Sequence, residues 1–467
     1  MNILLKFGKL LFPGLLLILT GCASIPNDSG IGAVQEIIDN QIGRNNPASK
    51  LQPDNELTPD KVAKLLDSSL KVDDAELLSM QLNPQARANL LKVGLAEADY
   101  AQAGRMENPG FSYERSTEGD SSSSLLFDIG GLILMPLRRE IELRRLEAAR
   151  FEAAGEVIEH LADTRIAWIE AVAEQQLTQL VERSLESSAT ANDMTRQMTA
   201  LGHSAVSEAA ESEIFLGEMR SALTLQRLAE SSARETLIRQ LGLWGESARK
   251  LSFPDQLPKL PKTLREFDSV EGEAIDRRID VQIASANLKA MAKNYDLTRR
   301  SPFLSAIEFG PVLEKSGGET ERGFELEFRI PIFDAGGISD AKARFSFEQS
   351  QAQAQSVAIS AASQARQALQ TYRSYWDIAK HYEEVLLPLR RRVSEETLLH
   401  YNGMLLSVFD LLGDVRDAAA LEATAIRAIR DFWVADARLQ LALTGSTSGM
   451  MTSGAASMPS SGSAEEH

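Results

Sequence analysis

The sequence predicts a mainly α-helical protein with a small β part, in which a long helical hairpin preceded by two strands occurs twice. Three observations carry that expectation. Leu134-Met135-Pro136 closes an apolar segment and opens a proline-free run of about 65 residues, up to Gly202. Ile330-Pro331, 195 positions later, opens a second long run as far as Gly403. Two strand-like segments stand before each run. A helix of that length reaches about 100 Å at 1.5 Å per residue, well beyond the roughly 8–20 residues usual in a globular domain. Self-similarity at a fixed offset is the mark of a duplicated architecture, and each unit here spans about 200 residues.

The N-terminus reads as a processing signal over residues 1–21. Lys6 and Lys9 form a positive n-region, and Leu10 to Leu19 is apolar but too short to span a bilayer. The segment ends in Leu19-Thr20-Gly21-Cys22, which resembles the bacterial lipobox, where cleavage precedes the cysteine and the thiol receives a diacylglycerol. Cys22 is the chain's single cysteine, so no intramolecular disulfide is available. Ala23 in place of Asp resembles the rule for transfer to the outer membrane of Gram-negative bacteria. Two or more acyl chains anchor stably where one is marginal.

Residues 22–59, rich in Asn, Asp, Pro, Gly and Ser, read as an acylated N-terminus and linker. The first unit, 60–243, holds a helix opened by Asn83-Pro84 and broken at Asn108-Pro109. Strands near 110–117 and 123–135 follow, then the long helix 137–201, Gly202 and a return helix 204–243. A linker at 244–269 carries Pro254, Pro258 and Pro261. The second unit, 270–444, repeats the order: helix 270–300, strands near 304–314 and 322–333, long helix 337–402, Gly403 and a return helix to about Leu443. A Ser/Gly/Met tail without periodicity occupies 445–467.

Composition fits thin helical packing. Ala, Gln, Ser and Leu replace large core residues, and only 6% of residues are aromatic, too few for a thick core. Ile158, Leu161, Trp168 and Val172, spaced 3, 7 and 4 apart, share one helix face. The formal charge of -17 excludes the basic face that nucleic acid requires.

Phe324-Glu325-Leu326-Glu327-Phe328-Arg329-Ile330 alternates apolar and charged residues strictly, and Leu125, Phe127 and Ile129 against Leu126 and Asp128 do so more weakly. In a soluble sandwich the charged face points outward; in an outer-membrane barrel the apolar face meets lipid and the charged face lines water. Four strands cannot close a barrel, and lipid tolerates no open edge. Strands that span a membrane here must be pooled from several chains, and three chains supply twelve.

The body from about 60 to 444 resembles the TolC-like outer-membrane efflux proteins, specifically their lipoprotein members. Three segments carry the likeness: Asn83-Pro84 with its Ala-rich helix, the corner Ile330-Pro331-Ile332-Phe333-Asp334-Ala335-Gly336-Gly337, and the segment Tyr401 to Leu412. The first unit departs at its corner, Met135-Pro136-Leu137-Arg138-Arg139, which lacks the glycine pair, and at its turn, Leu201-Gly202-His203-Ser204. The resemblance implies a homotrimer with a 12-stranded β-barrel in the outer membrane and a 12-helix α-barrel crossing the periplasm. It also implies a periplasmic adaptor and an inner-membrane pump as partners. The function it implies is a passive exit duct for small molecules or metal ions, with no catalysis and no cofactor beyond the lipid on Cys22.

Site residues follow from the same frame. Leu201, Gly202, Asn402, Gly403 and Met404 are the adaptor-docking tips, with Gly202 and Gly403 in the left-handed conformation of a helix end. Asp410 and Asp414, one to three turns later, form a pore constriction that threefold symmetry would turn into carboxylate rings favouring cations. Asp414-Arg416-Asp417 offers interprotomer ion pairs as a second use. Pro136, Pro331, Gly336 and Gly337 mark strand–helix corners. The five histidines show no paired-ligand spacing, and the weak metal candidates are the tail's Met450, Met451, Met458 and His467, whose thioethers suit Cu(I). Two other readings stand against the duct: a lipid-anchored periplasmic scaffold or adaptor without a pore, and a type I protein-secretion duct sharing the fold.

Overall fold

The computed structural model describes residues 28, 30–42, 58–116, 120–300, 307–316, 319–328 and 337–445. It opens with a helix where the sequence reading placed only linker: α1 (Ile31–Ile42). Val34 and Ile38 on its inner face are 0% exposed and pack beside Leu90, Val93 and Leu146. Three helices follow, α2 (Pro59–Leu66), α3 (Val72–Leu82) and α4 (Pro84–Ala103). Asn83 starts α4 as expected, its Oδ1 accepting from the N–H groups of Gln85 (2.8 Å) and Ala86 (3.4 Å), with Pro84 at the first helical position.

Strands β1 (Gly110–Arg115) and β2 (Ser121–Asp128) lead into α5 (Ile129–Ala200), 72 residues and roughly 110 Å long. Here the expected corner moves. The strand ends at Asp128, seven residues before the position expected from the sequence, and Pro136 lies inside the helix. Asp128 is the N-cap, its Oδ1 accepting from the Gly131 N–H at 2.6 Å. A Cβ on Gly131 would stand 1.9 Å from Asp128 Oδ2, so the glycine lets the carboxylate fold over the helix start. Pro136 then removes only the bond to the Leu132 carbonyl, one among many in so long a ladder.

The first unit returns through α6 (Val206–Leu241); α7 (Glu246–Arg249) is a single turn in the linker. The second unit comprises α8 (Val270–Arg277), α9 (Ile279–Arg300), β3 (Ile307–Ser316), β4 (Glu319–Phe328), α10 (Gly337–His381), α11 (Leu387–Asn402) and α12 (Val408–Thr444). Pro388 interrupts the second long run. A π turn at Tyr382–Leu386 joins α10 to α11, with the Leu387 N–H bonding back to the Tyr382 carbonyl. Pro388 has no N–H to give the carbonyl four residues earlier, and the widened turn absorbs that loss.

The core is a series of thin layers between helices. Ile158, Leu161, Trp168 and Val172 are all buried, as their common face requires. One cluster centres on Leu70, Leu78, Trp168, Leu237 and Phe253; another pairs α10 with α12 through Tyr372 and Phe432, whose rings lie 5.4 Å apart. Three indoles pin loops to these layers. Trp168 Nε1 donates to the Leu70 carbonyl at 2.8 Å, Trp433 to Pro258 at 2.9 Å and Trp376 to Pro261 at 3.1 Å. The fourth, Trp244, is 86% exposed. The four strands form one antiparallel sheet in the order β1-β2-β3-β4, so β2 and β3 join the two units across the duplication.

Candidate functional site: two helical tips and a two-faced sheet

Each long helix ends in the same pattern of backbone bonds. At the first tip Gly202 donates to the Thr199 carbonyl and His203 to Met198; at the second, Met404 donates to Tyr401 and Leu405 to His400. Both are Schellman ends, which need one residue in the left-handed region. Gly202 occupies it at φ +77°, as expected. Gly403 does not: its φ is -78°, and Met404 takes the left-handed place at φ +60°. The equivalence is therefore Gly202 with Met404, and the same offset relates the starts of α6 and α12 at Val206 and Val408. Asn402 is the last residue of α11. Leu201 and Leu405 are exposed, and Met404 is 94% exposed, so both tips present bare apolar side chains.

Asp410 caps the return helix. Its Oδ2 accepts from the Ser407 N–H at 2.9 Å and the Ser407 hydroxyl at 2.7 Å, while Ser407 Oγ accepts from the Asp410 N–H at 3.2 Å, a capping box. The Ser407 hydroxyl, then its N–H, holds the Asp410 carboxyl below the usual range. Glu208 occupies the matching position in the first unit, accepting from Ser204 Oγ and the Ala205 N–H, and is lowered by the same two kinds of bond. Asp414 is placed otherwise. It is buried, with Oδ1 2.6 Å from Arg390 Nη2 and 3.5 Å from Thr397 Oγ1, so it faces α11 of its own chain. Arg416 and Asp417 pair with each other at 3.7 Å on the exposed side.

Farther along the hairpins, Glu159, Asp163 and Glu170 line α5, where burial is the largest influence on each and raises its pKa. Arg438 of α12 partly offsets this for Asp163, and Arg430 and Arg438 do so for Glu170.

The register of the sheet sorts its residues into two faces, because directly paired residues lie on the same side. Phe111 pairs with Leu125, Phe127 with Phe309, Phe309 with Leu326, and Pro311 with Phe324. These share one face with Tyr113 and Leu313. Phe324 is 79% exposed there, and the Phe309 and Phe324 rings stack 5.6 Å apart. The other face carries Ser112, Glu114, Ser122, Ser124, Glu314, Glu321 and Glu325, with Leu126 and Val312 among them, around an open concavity. Ser112 Oγ lies 2.7 Å from Ser124 Oγ on that side. The alternation expected of β4 is present over Phe324 to Leu326, Arg329 and Ile330 lying outside the described residues. Strand β1 carries it too, with Phe111 and Tyr113 against Ser112 and Glu114.

Gly337 is the exposed first residue of α10, where a Cβ would meet nothing within 4 Å. Cys22, Pro331, Gly336, Met450, Met451, Met458 and His467 lie outside the described residues. Among the described residues no group of three or more His, Cys, Asp or Glu side chains could hold a metal ion, and no helix is long and apolar enough to cross a membrane. Arg390, Ser407 and the outward aromatics of β1 are the contributors sequence reasoning missed. β1 left a signal in its four-residue alternation, and Ser407 left one in the Ser-x-x-Asp spacing to Asp410; Arg390 left none.

No family model and no curated protein matches the chain in sequence. Solved structures do match in fold. The crystal structure of CusC, described in connection with transmembrane channel formation, aligns with a TM-score of 0.63 at 17% identity, over 84% of this chain and 94% of that one. The outer membrane protein VceC of Vibrio cholerae aligns at 0.64 and 13%, over 83% and 96%. The CmeC outer membrane channel of Campylobacter jejuni aligns at 0.65 and 13%, over 82% and 85%. Duplicated helical hairpins on a four-stranded antiparallel sheet are thus, in this chain, the fold of the TolC-like outer-membrane channels.

Proposed function

We propose that the chain is one protomer of an outer-membrane exit duct that passively conducts small molecules or metal ions. The observation that carries this reading is the sheet: four strands with open edges at β1 and β4, apolar on one face and acidic on the other. Such a sheet is unstable in lipid until its edges are paired, and three copies make a closed barrel of twelve strands. Its apolar face then meets lipid and its glutamates line the lumen, the arrangement of a water-filled channel. The hairpins extend this duct into the periplasm as a ring of twelve helices. The exposed tips around Leu201, Gly202, Gly403 and Met404 dock a periplasmic adaptor, which joins the duct to an inner-membrane pump that supplies the energy. Because Asp414 is turned onto Arg390, a carboxylate ring at the narrow end falls to Asp410 alone. Acylated Cys22 adds an anchor to the outer membrane.

The test is the native mass of the mature protein, extracted in mild detergent and corrected for bound detergent. A mass of about 150 kDa, three chains of 51.1 kDa before loss of the leader, is expected. A monomer under gentle extraction would overturn the duct and favour a pore-free periplasmic scaffold.

A further inference from the structure

The charged residues at the far end of the sheet are sorted by sign. The chain enters and leaves the sheet through helices at one end, and the β1–β2 and β3–β4 connections lie at the other. At that far end Arg115 pairs with Ser121, Ser121 with Lys315, and Lys315 with Thr320, a single row across all four strands. The next row inward runs Tyr113, Ser123, Leu313, Arg322. Both rows belong to the apolar face, so all three bases crown the aromatic band of Phe111, Phe309 and Phe324. The acids at the same height, Glu114, Glu314 and Glu321, belong to the opposite face, with Glu114 paired to Ser122 and Glu314 to Glu321. Arg115, Lys315 and Arg322 are exposed, and among the described residues none of them forms an ion pair. Across two strand spacings the backbones of Arg115 and Lys315 stand about 10 Å apart.

Charge repulsion alone would scatter three bases around both faces, beside the available glutamates. Their segregation above an apolar band matches a layer that is hydrocarbon below and anionic above. We propose that Arg115, Lys315 and Arg322 form a docking surface for phosphate-bearing lipid headgroups in the outer leaflet of the membrane around the barrel. The guanidinium forks bind phosphate oxygens in bidentate fashion, Lys315 supplies a point charge between them, and the long stems cover the apolar rows beneath. This rests on the duct reading, since only there does the apolar face meet lipid.

The experiment uses the full mature protein in neutral detergent, with assembly checked by native mass. It is titrated in mixed micelles with a bis-phosphorylated, hexa-acylated glucosamine disaccharide lipid and with the same lipid after both phosphates are removed. One basic residue beside an anionic surface contributes roughly fivefold in affinity. The wild-type trimer is therefore expected to prefer the phosphorylated lipid on the order of 100-fold, and the R115Q/K315Q/R322Q trimer to lose that preference. An E114Q/E314Q/E321Q trimer keeps it. Equal binding of the two lipids by the wild type, or an undiminished preference in the triple glutamine variant, overturns the proposal. Should that variant not assemble, R322Q and K315Q singly decide: about fivefold losses support the surface, and no loss overturns it. A monomeric wild type instead removes the duct reading, and this surface with it, before any lipid is added.

Discussion

Arg390 and Asp414 lock the last two helices of the chain to each other near the second tip. The guanidinium donates to Asp414 Oδ1 at 2.6 Å and to the same residue's carbonyl at 2.5 Å, with 20% and 8% of the two side chains left to solvent. Breaking a buried pair from one side leaves the other charge stranded, which costs about 3 kcal/mol or more. Asp414→Ala is expected to raise hydrogen exchange across α11 and the start of α12 accordingly. Arg390→Met combined with Asp414→Leu restores most of the protection. Unchanged exchange in the single variant would show that the pair carries no such weight.

The left-handed residues of the two tips respond in opposite ways. Met404→Gly relieves a conformation that costs an L-residue about 1 kcal/mol, and denaturant unfolding of the hairpin shifts to higher midpoint. Gly202→Ala incurs a similar loss. A Cβ at Gly202 meets nothing within 4 Å, so that loss comes from backbone conformation alone.

Two sets of carboxyls give stability opposite slopes with pH. Asp410 and Glu208 have depressed values, so their contribution is complete above the unfolded value of about 4 and disappears as pH falls through the folded values. Glu159, Asp163 and Glu170 are raised, so each penalises the fold once pH exceeds its folded value, and the penalty fades toward about pH 4. Thermal midpoints across pH 3–8 are expected to peak in mild acid. Asp163→Asn with Glu170→Gln raises the neutral-pH midpoint and flattens that limb. Ser407→Ala removes the bond that depresses Asp410, so it lowers the midpoint above about pH 4 and flattens only the acid limb.

The two faces of the sheet differ in what they tolerate. Leu326→Lys puts a cation deeper in the apolar band, beside Phe309, at about 2–4 kcal/mol per copy near the bilayer centre. It is expected to abolish assembled trimer in outer-membrane fractions. Glu325→Lys, one residue along on the acidic face, assembles normally and shifts ion selectivity toward anions in planar bilayers. Equal assembly of both variants would contradict the lipid-facing assignment.

The sequence disclosed what periodicity can disclose. The duplication, the buried stripe from Ile158 to Val172 and the faces of β4 were all present as spacing. Asn83-Pro84 announced its helix because a capping side chain and a proline act locally. What escaped depended on events several residues away. Pro136 looked like a corner because a proline usually ends a run, yet Asp128 had already begun the helix by folding over Gly131. Gly403 looked like the left-handed residue because glycine pays least there; the bond pattern shows that the turn closes one residue later, on Met404. Helix α1 carries a helical stripe, Ile31, Val34, Ile38 and Ile42 at spacings of 3, 4 and 4. It is short, however, and set among Asn, Asp, Pro and Gly that read as linker; α4 and α5 supply the surface it covers. The Arg390–Asp414 pair joins positions 24 apart around a turn, and no spacing rule reports it.

The three pinned indoles and the one bare indole make this protein its own reporter. Trp168, Trp376 and Trp433 each hold a loop carbonyl, whereas Trp244 stands between Gly242 and Gly245 with its ring in solvent. An aqueous quencher such as iodide therefore reaches Trp244 freely, the half-buried Trp376 and Trp433 in part, and the buried Trp168 only when its covering loop lifts away. A single Trp244→Phe substitution removes the freely quenched emitter, and the rise in quencher accessibility of the remaining indoles times the release of those loops, without any dye attached.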